Sequence, residues 1–293
     1  MSKEKQRLVL YYIMLILVIF SLLLGFHLIR KNKQKVSIEP VMADKKVSDT
    51  LEIKESQTVD QDLPLDSDIA LELLEKVSVF NNYKAGSYYG YFYNQDYMDI
   101  SMISDDAKVI IGITQNENFA NDFLNATYDA VAPDGTPLDV IILSKEEIQE
   151  GINSFFGPNT SYTDTDLIDG SDYCGFSKFK FDNTRNVYMS DPITCSGFPK
   201  PYVDSKLMRV HQSGDKIELY VKIAYVKYET TNSEEVVQYI YKNKADLQYL
   251  EKHMLLSDNS YDINNILDKL DTFKFTFTLN SNNYYYFTKV EKI

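Results

Sequence analysis

The longest unbroken apolar run in the chain covers positions 8–29, 22 residues without Asp, Glu, Lys or Arg. At about 1.5 Å of rise per residue it makes roughly 33 Å of helix, enough to cross a hydrocarbon core about 30 Å thick. A secretory h-region is shorter, about 7–15 residues, and ends at a small-residue cleavage site. Phe26-His27-Leu28-Ile29-Arg30 offers no such site. The pattern predicts an uncleaved transmembrane anchor over 8–29 behind a cytoplasmic tail over 1–7. The periodicity then disappears. Positions 36–65 hold no aromatic residue, charges of both signs, Pro40 and Pro64. Such a stretch cannot bury enough apolar surface to offset its ordering entropy. A flexible linker over 30–65 and a folded domain over 66–293 follow.

Within the domain, helical spacing comes first. Ile69, Leu73, Leu74 and Val77 form a stripe behind the capping run Asp66-Ser67-Asp68. Ser104, Asp105 and Asp106 open a second helix to about Thr114, with Val109, Ile110 and Ile113 inward. Ser144 and Glu147 form a capping box, and Gly157-Pro158 stops the helix that it starts. Between these, 88–93 reads as a strand or extended segment, 117–131 fits helix and strand equally, and Pro133-Asp134-Gly135-Thr136-Pro137 is a turn before an apolar strand at 140–143.

From Cys174 onward the period changes to two. Strands are predicted over 175–181, 186–190, 206–212, 216–229, 235–241, 273–279 and 283–292, with hairpin signals at Ser213-Gly214-Asp215 and Asn280-Ser281-Asn282. Ile217, Leu219, Val221, Ile223 and Tyr225 alternate with Glu218, Tyr220, Lys222 and Ala224, the pattern of a half-buried strand. Two short helices are expected over 246–254 and 262–270. Helices followed by an antiparallel meander give an α+β fold class. A strand as long as 216–229 has to bend, and a curved antiparallel sheet wrapping a helix resembles the NTF2-like cone.

The chain has two cysteines. A turn at Thr184-Arg185 pairs Phe181 with Tyr188, Phe179 with Ser190 and Cys174 with Cys195. Opposed Cβ atoms at about 4.5–5.5 Å come within a small twist of disulfide geometry. Closing that loop stabilises by about 3 kcal/mol in the loop-entropy model. The alternative is a pair of buried thiols. Two cysteines without a neighbouring His do not complete a zinc tetrahedron, and C-x-x-C spacing is missing. Around this hairpin, Phe179-x-Phe181-Asp182, Asn186-Val187-Tyr188 and the paired cysteines resemble a pattern in single-pass surface proteins of AT-rich Gram-positive bacteria. That group has no assigned activity, so the resemblance transfers no site residue.

Charge adds orientation and exclusions. Lys3, Lys5 and Arg7 precede the apolar run, and Arg30, Lys31, Lys33 and Lys35 follow it. The positive-inside count is nearly balanced; the expected disulfide places the domain outside the cell membrane. The whole chain carries −13 and its first 35 residues +6, leaving −19 beyond them. That acidity argues against a nucleic-acid partner. There is no Trp, but 23 Tyr and 16 Phe, which strands accommodate readily.

The most polar stretch is Thr163-Asp164-Thr165-Asp166-Leu167-Ile168-Asp169-Gly170-Ser171-Asp172. Asp164, Asp166, Asp169 and Asp172 are candidate calcium ligands, although the third acid and the Gly are each one place off the EF-hand pattern. The competing account is a solvated acidic loop with no cofactor. His211 and His253 lie in no metal-like spacing, and no G-x-S-x-G supports a serine triad. With no catalytic constellation, the expectation is an extracytoplasmic, non-catalytic binding domain with a protein or envelope partner. The alternatives are an envelope hydrolase using carboxylates and an accessory subunit of a secretion-like membrane assembly.

Overall fold

The computed structural model describes residues 60–81, 85, 88–115, 130–131, 137–138, 141–168, 178–190, 199–231, 235–255 and 261–293. The anchor expected over 8–29, most of the linker, Cys174, Cys195, Asp169 and Asp172 lie outside these residues. Among the described residues no helix is long and apolar enough to cross a membrane.

The described fold is α+β with antiparallel sheets. Its spine is β10 (Lys216–Thr230). One edge of β10 pairs with β9 (Tyr202–Ser213). Its other edge pairs first with β13 (Thr272–Leu279), over Lys216 to Lys222, and then with β11 (Val236–Tyr241), over Tyr225 to Thr230. The sheet continues outward through β14 (Tyr285–Lys292) to β2 (Tyr97–Asp99), through β9 to β1 (Asp60–Leu63), and through β11 to β12 (Glu251–Met254). Asp60–Leu63 falls in the predicted linker, which therefore ends earlier: these residues pair with Val210 to Ser213.

The bend required of β10 comes from its neighbours. Tyr220 opposes Arg209 and Val221 opposes Leu207, so Met208 is an extra residue in β9. Thr276 opposes Lys289 and Phe277 opposes Phe287, so Thr288 is extra in β14, and its hydroxyl donates to the Thr276 carbonyl at 2.9 Å. Each bulge raises the local twist.

Three helices, α1 (Asp68–Val77), α2 (Asp105–Thr114) and α3 (Lys145–Phe156), carry the inward stripes that the spacing predicts. Ser144 caps α3 in a complete capping box with Glu147. α2 and α3 meet backbone to backbone: a Cβ added at Gly151 would lie 2.2 Å from the Gly112 carbonyl oxygen. That approach sets Phe155 against Phe92 and Phe287, with ring centroids 6.1 and 5.4 Å apart. The apolar side of β10 joins this core, and Ala224 and Val226, on its other face, join a second cluster with Ile240, Ile263, Ile266 and Leu270. The alternation thus holds over the first half of β10 and ends where both faces are covered.

A second, four-stranded sheet has the order β5 (Ile142–Ser144), β8 (Val187–Ser190), β7 (Lys178–Asp182), β6 (Leu167–Ile168). Its hairpin pairs Phe181 with Tyr188 and Phe179 with Ser190, the register expected from the sequence. The turn is wider than two residues: Asp182 Oδ1 accepts from the Thr184 and Arg185 N–H groups, and Asn186 takes φ +57°. β3 (Ala130–Val131) and β4 (Pro137–Leu138) pair across the predicted Pro-Asp-Gly turn.

Three expected elements differ. The stretch 88–93 is a 3₁₀ turn at Tyr91–Tyr93, entered through Gly90 at φ +74°, where a Cβ would meet the Tyr225 ring at 2.5 Å. The 246–254 segment is not helical. Asp246 instead accepts from the Asn243 backbone and carboxamide at 3.1 and 2.6 Å, and Glu251–Met254 joins the edge of β11. The 262–270 segment forms two 3₁₀ turns, because Lys222 Nζ takes the Leu270 carbonyl at 3.1 Å and the Leu267 carbonyl closer still.

Candidate functional site

At the end of the sheet where β13 gives way to β11, a cleft of about 380 Å³ opens. Five stretches line it. Tyr93 to Asp96 lead into β2, Ile223 and Tyr225 lie on β10, Lys242 to Ala245 leave β11, and Asp271, Phe273 and Lys292 sit at the ends of β13 and β14. The floor is aromatic and buried. Tyr93 and Phe273 pack at 5.0 Å, and the Tyr93 hydroxyl donates to Asn81 Oδ1 at 3.1 Å. The Tyr225 hydroxyl donates to the Gly90 carbonyl at 3.3 Å. Burial raises both phenols far above their ordinary value, so neither serves as a base.

The walls are charged. Asp271 Oδ1 takes Lys242 Nζ at 2.9 Å, Oδ2 takes Lys292 Nζ at 2.8 Å, and Asp96 lies 3.9 Å from Lys292. Burial pushes the Asp271 carboxyl up; the hydrogen bonds from Lys292 and Lys242 outweigh it and hold the group below the ordinary carboxylate range. Lys244 donates to the Tyr89 carbonyl at 3.1 Å and sits 4.1 Å from the Tyr89 ring centroid. Lys227 fixes the loop by donating to the Lys244 carbonyl at 2.8 Å. These charged groups are engaged with one another and with the backbone. The arrangement suits recognition, with Asp271, the buried carboxylate, held in its charged form.

The candidates from the sequence lie elsewhere. Asp164 forms an ion pair with Lys145 and accepts from the Tyr188 hydroxyl at 3.2 Å. Asp166 Oδ1 accepts from the Phe181 N–H at 2.8 Å. Both stitch the 160s segment to α3 and the small hairpin. Nearby, burial, then the Asp164 charge, pushes the Tyr162 hydroxyl up to about 12. His211 lies between Asp60, 3.0 Å from Nε2, and Asp62, 2.9 Å from Nδ1. The His211 and Arg209 hydrogen bonds hold Asp62 below its ordinary value. They continue a ladder of alternating charge across the sheet, through Glu218 and Lys274 to Glu291. Among the described residues no group of three His, Cys, Asp or Glu side chains could hold a metal ion.

A second titratable group gathers over the smaller core. Asp204 on β9 is half-buried, and burial raises its carboxyl above the ordinary range. The Tyr261 hydroxyl faces it without closing a hydrogen bond of full geometry. His253 lies 2.9 Å from Glu251 and 6.2 Å, ring to ring, from Tyr261.

Neither group was visible in the sequence. The cleft draws on five stretches that only strand pairing brings together, and the one local signal near it, over 246–254, predicts a helix that does not form. A scan of protein-family models, a search of curated proteins and a search of solved structures each return no match.

Proposed function

We propose that this chain is a membrane-anchored, extracytoplasmic binding domain, and that the cleft beside Asp271 is its ligand site. The carrying observation is that cleft: about 380 Å³, aromatic below, with Asp271, the more buried of its two lining carboxylates, saturated by two lysines. Asp271 is lowered rather than raised, the opposite of what a general acid needs. The apolar run 8–29 supports the anchor, and the likeness to single-pass surface proteins supports the location. The bulged antiparallel sheet with α3 packed on β14 supports an NTF2-like cone, the architecture in which an accessory subunit of a membrane assembly also fits.

The test is capture from an envelope extract by the full-length chain, beside Ala245→Trp. Ala245 is exposed and lines the cleft, so an indole there fills it without touching the core. Retention by the parent chain and loss by Ala245→Trp is the expected result; equal retention removes the cleft as the site. Location has its own measurement. A membrane-impermeant maleimide should label Cys174 and Cys195 on whole cells only after reduction. Labelling only after lysis rules out the external domain.

One observation favours the envelope hydrolase as a second reading: the raised Asp204 carboxyl beside Tyr261, with the Glu251–His253 pair near it. Hydrolysis of a chromogenic glycoside abolished by Asp204→Asn would establish it. No turnover by the parent chain removes it.

A further inference from the structure

Two ammonium groups meet one carboxylate in the cleft. The Asp271 side chain is 13% exposed and gives one oxygen to Lys242 and the other to Lys292. Its acceptors are used on cations, whereas each ammonium has three donors and spends one on Asp271. The two lysines carry one positive charge more than Asp271 neutralises. Their side chains are 43% and 37% exposed, so the remaining donors are open to the cleft and to water. Two further acids act on Lys292: Asp96, 89% exposed and 3.9 Å away, and Asp246, which the Asn243 backbone and carboxamide hold. Lys242 and Lys292 nevertheless share one direct carboxylate partner, Asp271.

We propose that the cleft takes a small organic acid, a carboxylate on a hydroxylated body, with the carboxylate bound between Lys242 and Lys292. The proposal rests on reading the cleft as a ligand site and names its ligand class. A ligand carboxylate turns a two-to-one arrangement of charge into two-to-two. Asp271 holds both long side chains in place beforehand, so binding does not have to order them. A space of about 380 Å³ equals roughly a dozen water volumes, more than a bare inorganic anion fills. The rings of Tyr93 and Phe273 offer apolar surface to a body, and the carboxamides of Asn94 and Gln95 offer partners for hydroxyls. Lysines in place of arginines present point charges, which suit a single carboxylate without demanding a bidentate fork.

The test is calorimetric titration of the full-length chain with D-glucuronate, D-glucose and inorganic phosphate. Glucuronate should bind at one site per chain, at least about tenfold more tightly than glucose or phosphate. Lys242→Met should lower that affinity by about tenfold or more in a chain that still melts cooperatively, with the modest drop in melting temperature expected from losing one partner of Asp271. If Lys242→Met fails to fold, Ala245→Trp gives the same readout from an exposed position. Equal affinity for glucose and glucuronate overturns the acid while leaving a binding cleft. Phosphate binding as tightly as glucuronate overturns the organic body. No heat with any of the three overturns the inference altogether; envelope capture with Ala245→Trp then decides the binding reading separately.

Discussion

Gly151→Ala sets two opposed effects against each other, and the structure decides which wins. In an isolated helix the change is favourable by about 1 kcal/mol, because alanine loses less backbone entropy than glycine. Here the new Cβ would sit 2.2 Å from the Gly112 carbonyl oxygen and 2.9 Å from its Cα, where ordinary contact begins at 3.4 Å. All the close neighbours are backbone atoms of α2, so no side chain can swing aside. The helices must part by about 1 Å, and a gap of that order forfeits a quarter to a half of each dispersion contact across it. Ile148, Ile152, Phe155 and Phe156 all lie buried on α3 and move with it. Overpacking of this kind costs about 1–3 kcal/mol and occasionally more. With the backbone as obstacle the upper end applies, leaving a net loss of about 2 kcal/mol after the helix gain. For a domain of this size that lowers the melting temperature by roughly 4–8 °C. Circular dichroism melts of the full-length chain in mild detergent read the shift, with Glu150→Ala as control. Glu150 is an exposed position on the same helix, where the substitution should leave stability unchanged or slightly higher. A Gly151→Ala chain that melts at or above the parent temperature would refute the close crossing of α2 and α3.

Three further outcomes follow from the same contacts. Phe287→Ala removes a ring that packs on Phe92, Phe155, Phe156, Phe275 and Phe277, and should cost about 3–5 kcal/mol by urea unfolding; a loss under 1 kcal/mol contradicts its central place. Ser144→Ala breaks the capping box and should cost about 1 kcal/mol, read from the same unfolding curves. Asp271 carries a linkage of definite sign. Its folded-state pKa lies below the unfolded one, so its contribution is complete at neutral pH and fades as pH falls from about 4 through the folded value. Asp271→Asn should therefore lower the melting temperature at neutral pH and lose that part of the acid sensitivity. A deficit that stays constant down to about pH 2 would place its cause elsewhere.

Local features were legible where neighbouring residues suffice to set them. The Ser144–Glu147 box joins residues three apart, and the register of Phe181 on Tyr188 follows from a turn and a period of two. The inward stripe of β10 could be read for the same reason, and so could its need to bend. The failures share one cause. In 88–93 five of the six residues are aromatic, so no alternation was there to read; Tyr225, more than a hundred residues away, fills the space beside Gly90 and fixes the turn. The apolar spacing of Ile263, Ile266 and Leu270 correctly marks an inward face, but Lys222 draws the carbonyls of Leu267 and Leu270 and tightens the segment into 3₁₀ turns.

The sequence by itself determined the apolar run at 8–29, the acidic balance beyond it, the α+β class, the Ser104 and Ser144 caps and the register of the Phe181–Tyr188 hairpin. Each depends on composition or on residues a few positions apart, and needs no knowledge of what packs against what. Only the tertiary structure decided that Asp60–Leu63 belongs to the sheet, that β10 is covered on both faces beyond Ile223, and that Lys242, Asp271 and Lys292 converge on one cleft. Those facts depend on which strands lie side by side. Lys242 and Lys292 reach the same carboxylate because β11 and β13 take successive stretches of one edge of β10, an order that no stretch of the chain carries alone.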